Sequence, residues 1–214
     1  MPRATPYVTG MLGAVHYCQS CDEPIVMEPD GGAARCPACG GLDKAGAVEP
    51  LFVVTGASGA GKTAILAPLA RLLARRCVTF DVDWLLDAAG ALNGGNVIAW
   101  PAFRDAWLSV AHGVAQAGMP TVLLGQLVPE ALEPLPARRW IGEIHYLLLD
   151  CSDDVRRQRI ECRPVWRDRD INEQTRFGRW LRENISDRID TSARTPEDTA
   201  AAVAAWVGQH LRPP

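Results

Sequence analysis

The chain has 214 residues, 48% apolar and 22% charged, enough for one medium domain with a small appendage and for a real core. A net charge near −3 and a pI near 5.8 give no overall attraction to nucleic acid or acidic membranes. No apolar run approaches the roughly 18 residues of a membrane span, and Met1-Pro2-Arg3-Ala4 opens no signal-peptide core. A cytoplasmic location is therefore expected, with the seven cysteines as thiols or metal ligands.

The first element is a pair of cysteine knuckles. Cys18-x₂-Cys21 and Cys36-x₂-Cys39 are separated by fourteen residues, with Gly31-Gly32 between them and Gly40-Gly41 after them. Two tight turns that each present two thiolates match a tetrahedral Cys₄ zinc ribbon over about residues 10–42. A redox pair or simply buried cysteines are the alternatives. A closed site of Cys18, Cys21, Cys36 and Cys39 leaves no open coordination position, so its Zn²⁺ is expected to be structural. So short a segment could not hold a core without such a staple. The chain divides into a ribbon and linker, 1–47, and an α/β domain, 48–214. Cys77, Cys151 and Cys162 read as ordinary small apolar residues.

Leu51 to Thr55 is a short apolar run of the kind a buried parallel strand uses. The next eight residues, Gly56-Ala57-Ser58-Gly59-Ala60-Gly61-Lys62-Thr63, fit G-x-x-x-x-G-K-[ST] at every fixed position. Apolar residues at helical spacing follow to about Arg75. Strand, glycine loop and helix together make a phosphate cradle, in which backbone N–H groups point at the anion. Lys62 would reach the terminal phosphates and the Thr63 hydroxyl would sit on Mg²⁺. Of the 22 basic residues only Lys44 and Lys62 are lysines. Lysine stands where a compact point charge suits a phosphate.

A second strand is expected over 77–80, ending in Asp81-Val82-Asp83, followed by a helix-like stretch and a loop at 93–96. Pro101 opens an amphipathic helix to about Ala117, which Gly118 and Pro120 stop. A third strand covers 121–124, prolines break up 129–136, and a fourth strand covers 144–149. Ser152-Asp153-Asp154 caps a helix to about Cys162. An arginine-rich loop precedes a helix from Ile171 to about Ile185. A short strand at 188–190 and a helix from Pro196 to about Leu211 close the chain. Alternating strands and helices predict a parallel sheet covered on both faces.

Ligands sit at the carboxyl ends of such strands, where Asp81 and Asp83 lie. Alternation along a strand would put both carboxylates on one side. Asp81 is assigned to Mg²⁺ and its waters, and Asp83 to accepting a proton from the acceptor hydroxyl. The alternative for either is a helix cap. Arg156, Arg157, Arg159, Arg163, Arg167 and Arg169 form a basic cluster, read as a lid over the γ-phosphate or in part as surface salt bridging. A spacing of four puts Arg159 and Arg163 on one helix face. Trp100, Phe103, Arg104 and Trp107 lie near one face of the third helix and either stack on a planar acceptor or pack in the core. Asp150 reads as a helix cap. The four histidines receive no role.

Gly56–Thr63, the Asp81-x-Asp83 pair and Arg159-Ile160-x-x-Arg163 before a basic loop resemble the P-loop NTPases of the nucleoside-monophosphate-kinase-like group. That group includes adenylate, shikimate and gluconate kinases and chloramphenicol phosphotransferase. The resemblance spans about residues 50–210, including Ile189-Asp190-Thr191-Ser192 before the last helix. It implies a five-stranded parallel sheet in the order 2-3-1-4-5, sandwiched by helices. It also implies that Arg159 lies against the adenine and Arg163 near the phosphates, both serving catalysis with Lys62. Shikimate and gluconate kinases carry a similar D-x-D, whereas chloramphenicol phosphotransferase has only its second aspartate, which favours Asp83. The chain departs from adenylate-type kinases after the third strand. Gly125-Gln126-Leu127-Val128-Pro129 has no carboxylate for magnesium and no arginine for a standard nucleoside monophosphate, and Gln126 is left to hydrogen-bond an acceptor.

The expectation is an ATP- and Mg²⁺-dependent kinase for a small hydroxyl-bearing or nucleotide acceptor, with Asp83, Arg104 and Gln126 toward the acceptor. One alternative is a ribbon-guided protein acting on nucleic-acid ends or on a protein, although the ribbon holds only Arg35 as a basic residue. The other is a nucleotide-dependent switch, which needs no acceptor base and leaves the D-x-D pair unexplained.

Overall fold

The computed structural model describes residues 16–17, 20–21, 24–25, 28–30, 33–36, 38–43, 49–92, 98–163 and 170–211. At the N-terminal end, His16–Tyr17 pairs antiparallel with Pro24–Ile25. Glu28–Asp30, Ala33–Arg35 and Leu42–Asp43 form a small three-stranded antiparallel sheet.

The main body is a parallel sheet of β1 (Leu51–Thr55), β2 (Val78–Asp81), β3 (Thr121–Leu124), β4 (Ile144–Asp150) and β5 (Arg188–Asp190). The spatial order is β5-β4-β1-β3-β2, which read from the other edge is 2-3-1-4-5. The expected order holds. Its helices are α1 (Lys62–Leu72), α2 (Leu86–Leu92), α3 (Trp100–Gln116), the short α4 (Pro129–Leu132), α5 (Asp153–Glu161), α6 (Ile171–Asn184) and α7 (Pro196–His210). Tight 3₁₀ turns cover Val82–Leu85 and Pro136–Trp140.

β1 is central and buried at every position, which explains its unbroken apolar run. Its side chains alternate between two cores, as a period of two demands. Leu51 and Val53 join Phe103, Trp107 and Leu108 of α3 on one face. Phe52 and Val54 join Ile65 and Leu69 of α1 with Val203 and Val207 of α7 on the other. Two packed layers hold the middle strand, so its carboxyl end is a rigid platform for the loop that follows.

The element boundaries differ from the sequence expectations by one to three residues at helix ends, where fraying and capping blur the signal. Ser152 caps α5 as expected, its Oγ accepting from Val155 N at 3.3 Å. Asp150 is no cap. It is buried at the end of β4, bound to Arg156 at 2.8 Å and to Arg182 at 3.0 Å. Of the three cysteines read as ordinary small apolar residues, Cys77 and Cys151 are buried and Cys162 is exposed where α5 ends. Among the described residues no helix is long and apolar enough to cross a membrane.

Candidate active site

The loop from Gly56 to Gly61 links β1 to α1 at the carboxyl edge of the sheet. A Cβ on Gly56 would lie 2.5 Å from the carbonyl oxygen of Leu149, so only glycine lets β1 and β4 approach there. Gly59 and Gly61 have φ of +83° and +97°, values that side chains disfavour. Gly61 is the N-terminal cap of α1 and offers no side chain to it. The helix start is thereby left open on the cleft side, as an anion cradle requires.

Lys62 begins α1 and turns back over the loop, where its ammonium donates to the carbonyls of Gly56 and Ala57 at 2.5 and 3.2 Å. Burial pushes its pKa down to about 8, against the attraction of Asp83 and Asp81; Arg163 and Arg156 lower it further. Thr63 Oγ1 donates to Asp81 Oδ2 at 3.4 Å. The other oxygen of Asp81 accepts from Asp83 N at 3.0 Å and so caps the 3₁₀ turn. Asp81 is therefore a cap through one oxygen and a neighbour of Thr63 through the other. Strand alternation is not what brings the two aspartates to the cleft. β2 stops at Asp81, and the 3₁₀ turn carries Asp83 to an exposed position on the cleft wall.

The cleft has a volume of about 570 Å³. Lys62, Thr63 and Ser58 line it on the loop side, and Asp83, Trp100, Arg104 and Gln126 line it on the other. The aromatic group of α3 divides between core and cleft. Phe103 and Trp107 are buried, with Trp107 Nε1 donating to Val82 O at 3.1 Å. Trp100 stays 48% exposed with the Arg104 guanidinium 5.8 Å over its ring. Burial lowers the pKa of Arg104. Gln126 is less available than expected, because its Nε2 donates to Ser58 Oγ at 3.3 Å and Gln174 Oε1 at 3.0 Å.

The arginine cluster does not act as a unit. Arg156 is fully buried, donating to Ser58 O at 3.0 Å and to Asp150. Arg157 is exposed. Arg159 binds Gly59 O at 3.2 Å and Thr191 Oγ1 and O at 3.0 and 2.6 Å, tying the loop to the segment after β5. Arg163 lies beyond the end of α5 and lines the cleft. Arg167 and Arg169 lie outside the described residues.

Three partners of the loop escape sequence reasoning: Gln174, Thr191 and the Arg156–Asp150 pair. The only trace of Gln174 is a polar residue on the buried seam Gln174, Gly178, Leu181 of an otherwise amphipathic helix. Gly178 has its own reason. A Cβ there would sit 2.9 Å from Arg156 Nη2.

No family model and no curated protein sequence matches the chain. Solved structures do. The tunicamycin resistance protein of Deinococcus radiodurans is 20% identical with a TM-score of 0.61, over 78% of this chain and 99% of its own. A sugar kinase from Janibacter sp. is 19% identical with a TM-score of 0.53, over 75% and 95%. Shikimate kinase from Acinetobacter baumannii is 18% identical with a TM-score of 0.50, over 78% and 97%. At such identities the likeness is one of fold. The fold of the main body is that of the P-loop kinases, and the sheet order agrees.

The thiols form a separate cluster. Sulfurs of Cys21, Cys36 and Cys39 all lie within 4.8 Å of one another, and those of Cys21 and Cys36 are 3.9 Å apart. Four thiolates around zinc at about 2.3 Å stand about 3.8 Å apart along a tetrahedral edge, so the donor set fits that ion. Gly40, with φ of +69°, donates to Cys36 O at 2.8 Å, and Gly41 N donates to Cys39 Sγ at 3.4 Å. Cys18 lies outside the described residues.

Proposed function

We propose that the chain is an ATP- and Mg²⁺-dependent phosphotransferase acting on a small hydroxyl-bearing or nucleotide acceptor. The observation that carries this reading is one cleft that Lys62 and Thr63 line together with Asp83, Trp100 and Arg104, with Asp81 bonded to Thr63 at its edge. The backbone from Gly56 to Thr63 would hold the triphosphate, with the Lys62 ammonium on its terminal oxygens. The Thr63 hydroxyl and Asp81 carboxylate are hard oxygen donors of the kind Mg²⁺ takes. Bound there, Mg²⁺ would neutralise charge developing on the bridging oxygens.

Asp83 would accept the proton of the acceptor hydroxyl as that oxygen bonds to the γ-phosphorus and the bond to ADP breaks. Arg163 would offset charge on the transferring group. The edge of the Arg159 guanidinium is spent on Gly59 and Thr191, which leaves its flat face for the base. Residues 1–47 would be a separate ribbon around structural Zn²⁺, with Cys18 as fourth ligand, and 48–214 the transferase. Metal analysis should return about one zinc per chain, and none would remove the ribbon.

ADP release from Mg²⁺-ATP, measured with pools of nucleosides, nucleoside monophosphates, sugars, aminated natural products and 5′-hydroxyl oligonucleotides, tests the activity. A jump with one small-molecule pool, abolished in Lys62→Ala, is expected. A response confined to oligonucleotides would shift the acceptor to nucleic acid. Release indifferent to every pool would overturn the transfer step.

A further inference from the structure

Ser58 has each of its polar groups engaged by a different element. Its N–H donates to Gln174 Oε1 on α6 at 2.8 Å. Its carbonyl accepts from Arg156 on α5 at 3.0 Å. Its hydroxyl accepts from Gln126, in the loop after β3, at 3.3 Å. Gln126 Nε2 also donates to Gln174 Oε1 at 3.0 Å, so one amide oxygen joins the phosphate loop, the acceptor wall and α6.

Gln174 is 5% exposed, and a carboxamide so placed lowers stability unless it is bonded. Its oxygen is bonded outside α6, to Ser58 and Gln126, and the residue lines the cleft. The loop itself is poor in rigidity, because glycines at 56, 59 and 61 permit its turns but hold none of them. Beyond one internal bond, from Ala60 N to Ala57 O at 3.2 Å, the order of the loop before a phosphate arrives comes from groups outside it. An anion cradle that is already ordered loses less entropy on binding and binds more tightly.

We propose that Gln174 is a positioning residue for the phosphate loop, fixing the Ser58 peptide and coupling it through Gln126 to the acceptor wall. The proposal rests on the reading of this cleft as a nucleotide site. Gln174→Leu keeps the volume and removes the acceptor oxygen, leaving the Ser58 N–H unpaired. Gln174→Asn remains polar but is one methylene short of Ser58, and serves as the variant least prone to misfold.

Calorimetric titration of the full chain with Mg²⁺-ADP reads the effect, with melting of the ligand-free protein as the control on folding. The Q174L and Q174N variants should bind about ten-fold more weakly, the scale of one unsatisfied buried donor. Affinity for adenosine, which carries no phosphate, should be unchanged in both variants, which a general loosening of the cleft would not produce. Wild-type protein that fails to bind Mg²⁺-ADP would overturn the nucleotide reading and this proposal together. Wild-type binding with Q174N unimpaired, or with adenosine weakened as much as Mg²⁺-ADP, would overturn the positioning role alone.

Discussion

The two halves of the cleft are built on opposite plans. On the loop side the polar side chains are bonded to one another and to the backbone: Ser58 to three elements, Arg159 to Gly59 and Thr191, Arg156 to Asp150 and Ser58. On the side proposed for the acceptor Asp83 is exposed, Trp100 keeps nearly half its surface in solvent, and Arg104 lies against an indole face. A triphosphate is the same molecule for every enzyme that uses it, and a site for it gains from being fixed in advance. An acceptor site must fit one compound among many, and its specificity comes from the side chains it presents to that compound.

The largest effect should come from separating these halves at Asp83. Asp83→Asn removes the proposed base and keeps the size, so transfer should fall by about 10²–10⁴-fold, while Mg²⁺-ADP binds as before. Equal losses in transfer and in nucleotide affinity would instead assign Asp83 to the loop side and blur the division. The next effect concerns stability. Arg156→Met deletes a fully buried guanidinium, leaves Ser58 O unmatched and leaves Asp150 to Arg182 alone. A loss near the lower end of about 3–5 kcal/mol is expected in urea unfolding, because Arg182 still pairs with Asp150. A change within 0.5 kcal/mol, roughly the scatter of neutral surface substitutions, would mean that the loop side is not held by this pair.

The same contrast explains what is legible in the sequence. The loop, its strand and its helix are readable because glycine at fixed intervals and an apolar run are local signals, and the sheet order follows from resemblance on those residues. The groups that hold the loop are not readable. Gln174 is 116 residues from Ser58, and Arg156 is 98. No spacing rule spans such distances, and a run of arginines looks like one basic lid until burial separates its members. The D-x-D pair reaches the cleft by a route that strand periodicity does not describe, since a 3₁₀ turn replaces the alternation. Trp100 and Trp107 share a helix and spacing, yet only packing distinguishes the exposed one from the core one.

The smallest expected effect is a pH dependence with two opposite slopes, both from Lys62. Its ordinary value of 10.5 falls to about 8 in the folded chain because burial disfavours the ammonium. Between about pH 8 and pH 10.5 the unfolded chain therefore holds more of this proton than the folded one. Stability gained from this group then rises with pH through that window and is flat below it. Phosphate binding needs the charged form, so Mg²⁺-ADP affinity should move the other way and drop about ten-fold from pH 7 to pH 9 as the competent fraction shrinks. Titrations at the two pH values, each paired with a melting curve and a Lys62→Arg control whose charge does not titrate there, read both slopes. Flat affinity in the wild type would mean that Lys62 takes up no proton on binding, so that its ammonium either stays charged in the free loop up to pH 9 or is not needed by the phosphate.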